Sequence, residues 1–379
     1  GRFGAGALCV RGHSNVQGDR TMGIWEQMDD AFLDRLRDEF HFEPPREHGF
    51  DTIGSIHAMI DGRVKAFIAL GGNFLSAAPD TEAVARGLNN VQLNAHITTK
   101  LNRCHFFSGG TSLLLPCLSR TERDVQASGL QITSVENTVN KVSSSRGHLT
   151  PASPEVRSEV AIICGMAKAT VDGRAAVDWD AMTADYDRIR DAASHVVPGT
   201  DEYNKRLREP EGFFMPTPAK ERIFKTDTGK AKFTVNPMSP IVLEPGQLLM
   251  TTIRSHDQFN TTIYGLEDKY RGITGGRRVI FMNPEDMAAR GLETKMLVDI
   301  TSHWRGQTRS VQHFQVISYP IARSCTATYY PEGNPLVPLD DVARGSCQPA
   351  SKSIVITVAR SADQNATSVA PDHRTVTST

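Results

Sequence analysis

Hydrophobic positions first gather at helical spacing at Trp25, Met28, Phe32, Leu36 and Phe40, which predicts an amphipathic helix over residues 22–40. From 51 to 99 the pattern alternates between helix and strand. Residues 51–61 read as a short helix, and residues 64–70 as a compact apolar strand that runs straight into Gly71, Gly72 and Asn73. Pro79, Asp80, Thr81 and Glu82 then open a helix through Leu88, with acids suited to its N-terminus, and residues 91–99 read as the next strand. Strand, Gly-Gly loop, helix, strand is the repeating unit of a parallel sheet. Residues 104–150 are loop-rich around an apolar piece at 113–115. Ser153, Pro154 and Glu155 signal a helix start, with Val156, Val160, Ile163, Cys164 and Ala167 on one face. Residues 172–218 predict two helices followed by a Pro-rich run at 210–218, a candidate domain junction.

From Lys230 the period shortens. β-like runs fall at 231–235, 248–253, 279–282, 296–300, 311–317 and 354–358. One helix interrupts them, capped by Asn283, with Pro284 at its first position and Gly291 past its end. Short strands with turn signals predict a small β-barrel. The last twenty residues, 360–379, are polar and rich in Ser and Thr, and read as a disordered tail. The expected division is an α/β part over 1–150, a helical connection over 151–238, a barrel over 239–359 and the tail.

Composition narrows the function. The 379 residues carry 42 basic and 43 acidic side chains, a net charge of −1, which argues against a general nucleic-acid binder. No apolar run approaches a membrane span and no targeting segment is visible. Cys9, Cys104, Cys117, Cys164, Cys325 and Cys347 are scattered and form no C-x-x-C pair, which fits a reducing, cytoplasmic compartment and no iron–sulfur or zinc pattern. The histidines show no metal-ligand spacing, so no metal held by protein side chains is expected.

Three polar clusters carry candidate chemistry. Residues 11–23 hold Arg11 and Arg20, whose planar forks suit phosphate or carboxylate, among Gly12, Gly18 and Gly23. A polar Gly-rich loop that opens a helix presents backbone N–H groups to an anion; the alternative is a capped surface turn. Gly71, Gly72 and Asn73 stand where ligands sit in parallel sheets, at the carboxyl end of a strand, and a plain turn is again the alternative. In residues 251–262 every side chain but Ile253 and Phe259 is polar. Burying such a run demands polar partners, and a solvated loop is the competing reading. Asn334, in the Pro- and Gly-fixed loop around Tyr330, can both donate and accept hydrogen bonds, and Lys352 follows later.

Together these segments resemble one family, the molybdopterin oxidoreductases of the formate dehydrogenase alpha-subunit type. The resemblance rests on residues 11–18, on Leu70 to Asn73, on 254–262, on Asn283 to Asp286 and on Tyr330 to Asn334, in that order over about residues 1–358. It implies an α/β fold, in which an incomplete parallel-sheet, dinucleotide-binding-like domain precedes a C-terminal double-psi β-barrel. It also implies one molybdenum, or tungsten, held by two molybdopterin guanine dinucleotides. Arg11 matches a position near metal and substrate, with His13 a weaker candidate for proton handling. Gly12, Asn15, Gly18, Gly71, Asn73, Arg254, His256, Asp257, Gln258, Asn260, Asn334 and Lys352 match cofactor contacts. The redox chemistry would sit on the cofactor, the protein supplying orientation and electrostatics.

The family's [4Fe-4S] cysteines and its metal-ligating Cys, Sec or Ser lie before the Arg11 loop and have no counterpart here. Residues 102–146 also lack the acidic, Gly-Thr-rich pattern of active formate dehydrogenases. The expectation is therefore the C-terminal portion of a two-electron oxidoreductase. Formate is the leading substrate, the missing N-terminal half is a partner, and an electron-transfer partner is open. An inactive fragment or cofactor-binding assembly partner is the alternative, and a generic α/β nucleotide-binding protein is a third.

Overall fold

A computed structural model of the chain describes residues 15–218, 220–238 and 240–366. The described residues form two compact units, one within 15–50, 97–100 and 115–237, the other within 51–96, 101–114 and 238–366.

The first unit is mainly helical. The helix predicted over 22–40 begins only at Asp30 and runs Asp30–Phe40. Asp29 sets that start, its carboxylate accepting the Phe32 N–H at 2.7 Å, a strong N-cap that outweighs the apolar spacing before it. Phe32, Leu36 and Phe40 then pack against Val142, Val196, Tyr203, Leu207 and Phe213. The expected Gly-rich loop is itself partly helical over Val16–Thr21. The helix predicted from Ser153 starts instead at Glu159, because the Ser158 hydroxyl accepts the Ala161 N–H at 3.1 Å. Of its predicted face Cys164 is buried, while Ile163 is exposed. Three helices, not two, follow: Trp179–Ala184, Tyr186–Val196 and Tyr203–Leu207. The extra break falls at Asp185, which leaves helical geometry at φ −152° and caps the next helix through the Asp187 N–H. Phe213–Phe214 pairs antiparallel with Lys141–Ser145, which pairs with Thr133–Glu136. Residues 231–235, predicted as a strand, are in no sheet.

The second unit carries the sheet and the barrel. Strands Ala66–Leu70, Leu93–Thr98 and Thr111–Pro116 lie in that order. The Leu93 N–H donates to the Lys65 carbonyl and the Thr111 N–H to that of Gln92, the offsets of strands running the same way. Helices Thr52–Ile60 and Thr81–Asn90, capped by Asp51 and Asp80, bury Ile53, Ile56, Met59, Val84 and Leu88. A short helix, Phe74–Ala77, interrupts the strand-to-helix connection.

Six strands close the barrel: Val279–Met282, Gln307–Ser318, Leu297–Trp304, Ile354–Arg360, Leu248–Ile253 and Cys325–Tyr329, the last returning to the first. Two of its pairings are parallel, Val279–Met282 with Gln307–Ser318 and Leu248–Ile253 with Cys325–Tyr329; the others are antiparallel. Alternate residues point inward, so that Leu248, Met250, Ile280, Val298, Ile300, Phe314, Val316 and Ile356 form one dry core. The strand Cys325–Tyr329 is not among the expected runs, although the alternation of Cys325, Ala327 and Tyr329 with Thr326 and Thr328 is a strand pattern. Asn283 caps Pro284–Ala288 as expected. Of the expected tail, residues 360–366 are described and are tied to the barrel, whereas 367–379 lie outside the described residues. Arg360 ends a strand and Ser361 is buried. Gln364 exchanges hydrogen bonds with the Leu297 backbone at 3.0 and 2.9 Å.

Candidate functional site

Within the second unit, loops at the carboxyl ends of Leu248–Ile253 and Cys325–Tyr329 meet the segment after Phe74–Ala77 around a cavity of about 270 Å³. Ala77, Pro79, Thr252, Arg254, Tyr330, Asn334, Ser351 and Lys352 are among its walls, and no acidic residue is.

Asn334 builds the back wall. It is 3% exposed. Its amide donates to the carbonyls of Ser76 at 2.7 Å, Ala78 at 3.2 Å and Ala77 at 3.4 Å. Those carbonyls end a one-turn helix and have no intrahelical partner of their own. In return the Asp80 N–H donates to the Asn334 carbonyl at 3.0 Å. Beneath, Gly333 is irreplaceable by size: a Cβ there would stand 2.6 Å from Thr328 Cγ2 and 3.2 Å from Thr252 Cγ2.

Two cations face the space. The Lys352 ammonium donates to the Thr252 carbonyl. Burial pushes it below the ordinary lysine value, and the Arg254 guanidinium lowers it further. Arg254 lies 5.8 Å from the Tyr330 ring centroid and donates to Asn260 Oδ1 at 2.7 Å. Two mutually repelling cations in a cavity without a carboxylate await an anion.

Behind them is a residue the sequence reading overlooked. Arg277, 4% exposed, donates to Glu332 at 2.7 and 3.1 Å, Ser255 Oγ at 2.7 Å, Gln258 Oε1 at 2.9 Å and the Tyr330 carbonyl at 2.9 Å. One guanidinium thus ties the 254–258 turn to the 330–332 turn. Asp268 makes a second knot. It accepts from Tyr329 Oη at 2.8 Å and Arg271 at 2.7 Å, with the His256 ring at 2.9 Å. Burial alone would raise its carboxyl, but the hydrogen bonds from Tyr329, His256 and Arg271 outweigh that and bring it down to about 2.

The predicted residues separate on this frame. Arg254, Asn334 and Lys352 line the cavity. Gln258 turns away from it: Oε1 accepts from the Ser255 N–H, and Nε2 donates to the carbonyls of Asn260 and Tyr330. Asn260 steadies Arg254, His256 rests on Asp268 and the Tyr270 ring, and Asp257 is exposed. Gly71 and Asn73 lie outside the lining. Gly71 turns at φ 68°, and Asn73 caps Phe74–Ala77 through the Ser76 N–H. In the first unit Asn15 Oδ1 accepts the Glu136 N–H at 3.0 Å. Gly18 packs beside it, where a Cβ would come 2.4 Å from that oxygen. Arg11, Gly12 and His13 fall outside the described residues. Arg277 left no local signal, since its partners lie on two turns away from it in the chain; Asp268 has Arg271 close by, but its bond to Tyr329 spans 61 residues.

The barrel coincides with a known family. Residues 248–355 match the family described as Molydopterin dinucleotide binding domain. Over 362 residues, 94% of this chain, the sequence is 50% identical to an uncharacterized oxidoreductase of Mycobacterium tuberculosis, covering 46% of that protein. Over the same length it is 40% identical to the protein YdeP of Escherichia coli, covering 48% of it. The chain thus spans about half the length of the curated relatives it matches. The acetylene hydratase from Pelobacter acetylenicus shares the fold, with a TM-score of 0.54 and 13% identity over 87% of this chain and 50% of that one.

The cavity fits the cofactor half this family binds. Its two cations and the Ser351 hydroxyl suit phosphate oxygens, and its lining carries no opposing carboxylate.

Proposed function

We propose that this chain supplies a dinucleotide grip for a molybdopterin-dependent oxidoreductase that transfers two electrons to or from a small substrate. The observation that carries the reading is the pair Arg254 and Lys352, facing one cavity in a molybdopterin dinucleotide-binding barrel. Both would hold phosphate oxygens, Lys352 exchanging the Thr252 carbonyl for the anion. Arg277 would hold the two turns in place while this happens, and Asn334 would fix the distance from the barrel to the 76–80 segment. When bound, the cofactor supplies metal-centred redox chemistry that no side chain here provides.

The guanine form of the dinucleotide, formate as substrate, and Arg11 and His13 as the residues that orient substrate and handle its proton rest on the family resemblance. So does an iron–sulfur centre in a companion N-terminal half. Titrating the chain with guanosine diphosphate and with guanosine tests the grip. The diphosphate should bind and guanosine should not, with Lys352→Met and Arg254→Gln each weakening it about tenfold. Equal binding of both ligands, or no effect of either substitution, would remove the reading.

A further inference from the structure

Residues 220–237, in the first unit, combine two properties that conflict in an isolated chain. Their sequence is that of a β-hairpin: a run through Ile223 and Phe224, a turn at Thr226 to Gly229, and an alternating run in which Ala231, Phe233 and Val235 share one side and Lys232 and Thr234 the other. The turn is formed. Gly229 stands at φ 65°, its N–H donates to the Thr226 carbonyl at 2.9 Å, and Thr226 Oγ1 donates to the Lys230 carbonyl at 2.7 Å. The root is also fixed. The Ile223 N–H donates to the Pro218 carbonyl at 2.8 Å, and the Lys220 ammonium lies 4.9 Å from the Phe214 ring centroid. Yet among the described residues no strand pairs with either run. Phe233 is 97% exposed, Val235 96% and Ile223 52%.

An alternating apolar run left in water forgoes the stabilisation that burying its large side chains would give. We infer that residues 220–237 are a docking arm that adds its 231–235 run to a sheet edge on another polypeptide. The occupant is the portion of the relatives that lies outside the stretch matched by this chain. The curated relatives align with 94% of this chain, yet that alignment is only 46% of the mycobacterial protein, so about half of that protein lies outside the stretch that carries the arm's counterpart. The arm also specifies chemistry. Residues 220–235 hold five basic side chains (Lys220, Arg222, Lys225, Lys230, Lys232) and two acidic ones (Glu221, Asp227), so the receiving edge should be apolar with an acidic rim. A lipid surface is a poorer occupant, because it cannot satisfy the unpaired backbone groups of 231–235, whereas a strand edge can. The inference does not depend on cofactor binding.

Amide exchange tests it on proteins as they exist. In this chain alone the amides of 231–235 should exchange as in an unstructured peptide; in the full-length mycobacterial oxidoreductase the aligned amides should slow by about 100-fold or more. Aspartates at the two positions aligned with Phe233 and Val235 should abolish that slowing. Fast exchange in both wild-type proteins would overturn the inference without recourse to any variant. Protection in this chain alone would also overturn it: light scattering at a dimer mass would make the arm a self-association surface. Protection that appears only on adding anionic phospholipid vesicles would make the arm a membrane contact instead.

Discussion

The Asn334 amide reaches the Ser76 carbonyl at 2.7 Å across 258 residues of sequence. That hydrogen bond fastens the barrel to the segment that follows the first parallel strand, and places one wall of the cavity against the other. Substituting Asn334→Ala should lower stability by about 1–3 kcal/mol, because three backbone carbonyls lose their donor in a buried site. Urea denaturation would measure it. A midpoint unchanged from wild type would mean that water replaces the amide at no loss.

Arg277 should be less tolerant still. It is buried and bonded to Glu332, Ser255, Gln258 and Tyr330. Arg277→Met leaves Glu332 without its charged partner, with an expected loss of about 3 kcal/mol. Arg277→Lys retains the charge but not the fork, so it should recover only part of that loss, together with part of the nucleotide affinity. Full recovery by lysine would show that charge alone matters.

Acid should attack the barrel at Asp268. Its carboxyl is held at about 2 in the folded protein, against about 3.9 in an unfolded chain. The folded value is depressed, so the stabilisation is complete above pH ~4 and is lost as pH falls toward ~2, a contribution of about 2 kcal/mol. Urea midpoints measured across that window should fall with pH in the wild type and fall less in Asp268→Asn. Parallel curves for the two proteins would contradict the assignment.

Lys352 gives a prediction of opposite sign. Its ammonium is depressed by burial and by Arg254, and a bound phosphate would restore it. Binding of guanosine diphosphate should therefore take up protons at alkaline pH and weaken with added salt. Calorimetry in buffers of differing ionisation enthalpy would detect the uptake. Lys352→Met should abolish the proton uptake, and an uptake that persists in that variant would assign it elsewhere.

Much of this molecule can be read locally. Asp51, Asp80 and Asn283 announce the helices they cap, since a cap needs only neighbours three residues away. Five of the six barrel strands carry apolar runs that must be buried somewhere, whatever lies opposite. Arg254, Asn334 and Lys352 could likewise be picked out as polar groups set among Pro, Gly and strand ends.

Other features depend on residues that meet only in three dimensions. Cys325–Tyr329 is a strand because its backbone pairs with Leu248–Ile253 and Val279–Met282, partners far along the chain. Arg277 matters because its guanidinium meets acceptors on two distant turns. Residues 231–235 have the pattern of a strand but no sheet edge to join among the described residues, and strand propensity without a partner forms no ladder. Caps and apolar periods are short-range and survive in the order of the residues. Pairing, charge neutralisation and the shape of a cavity are long-range, and exist only once the chain has closed on itself.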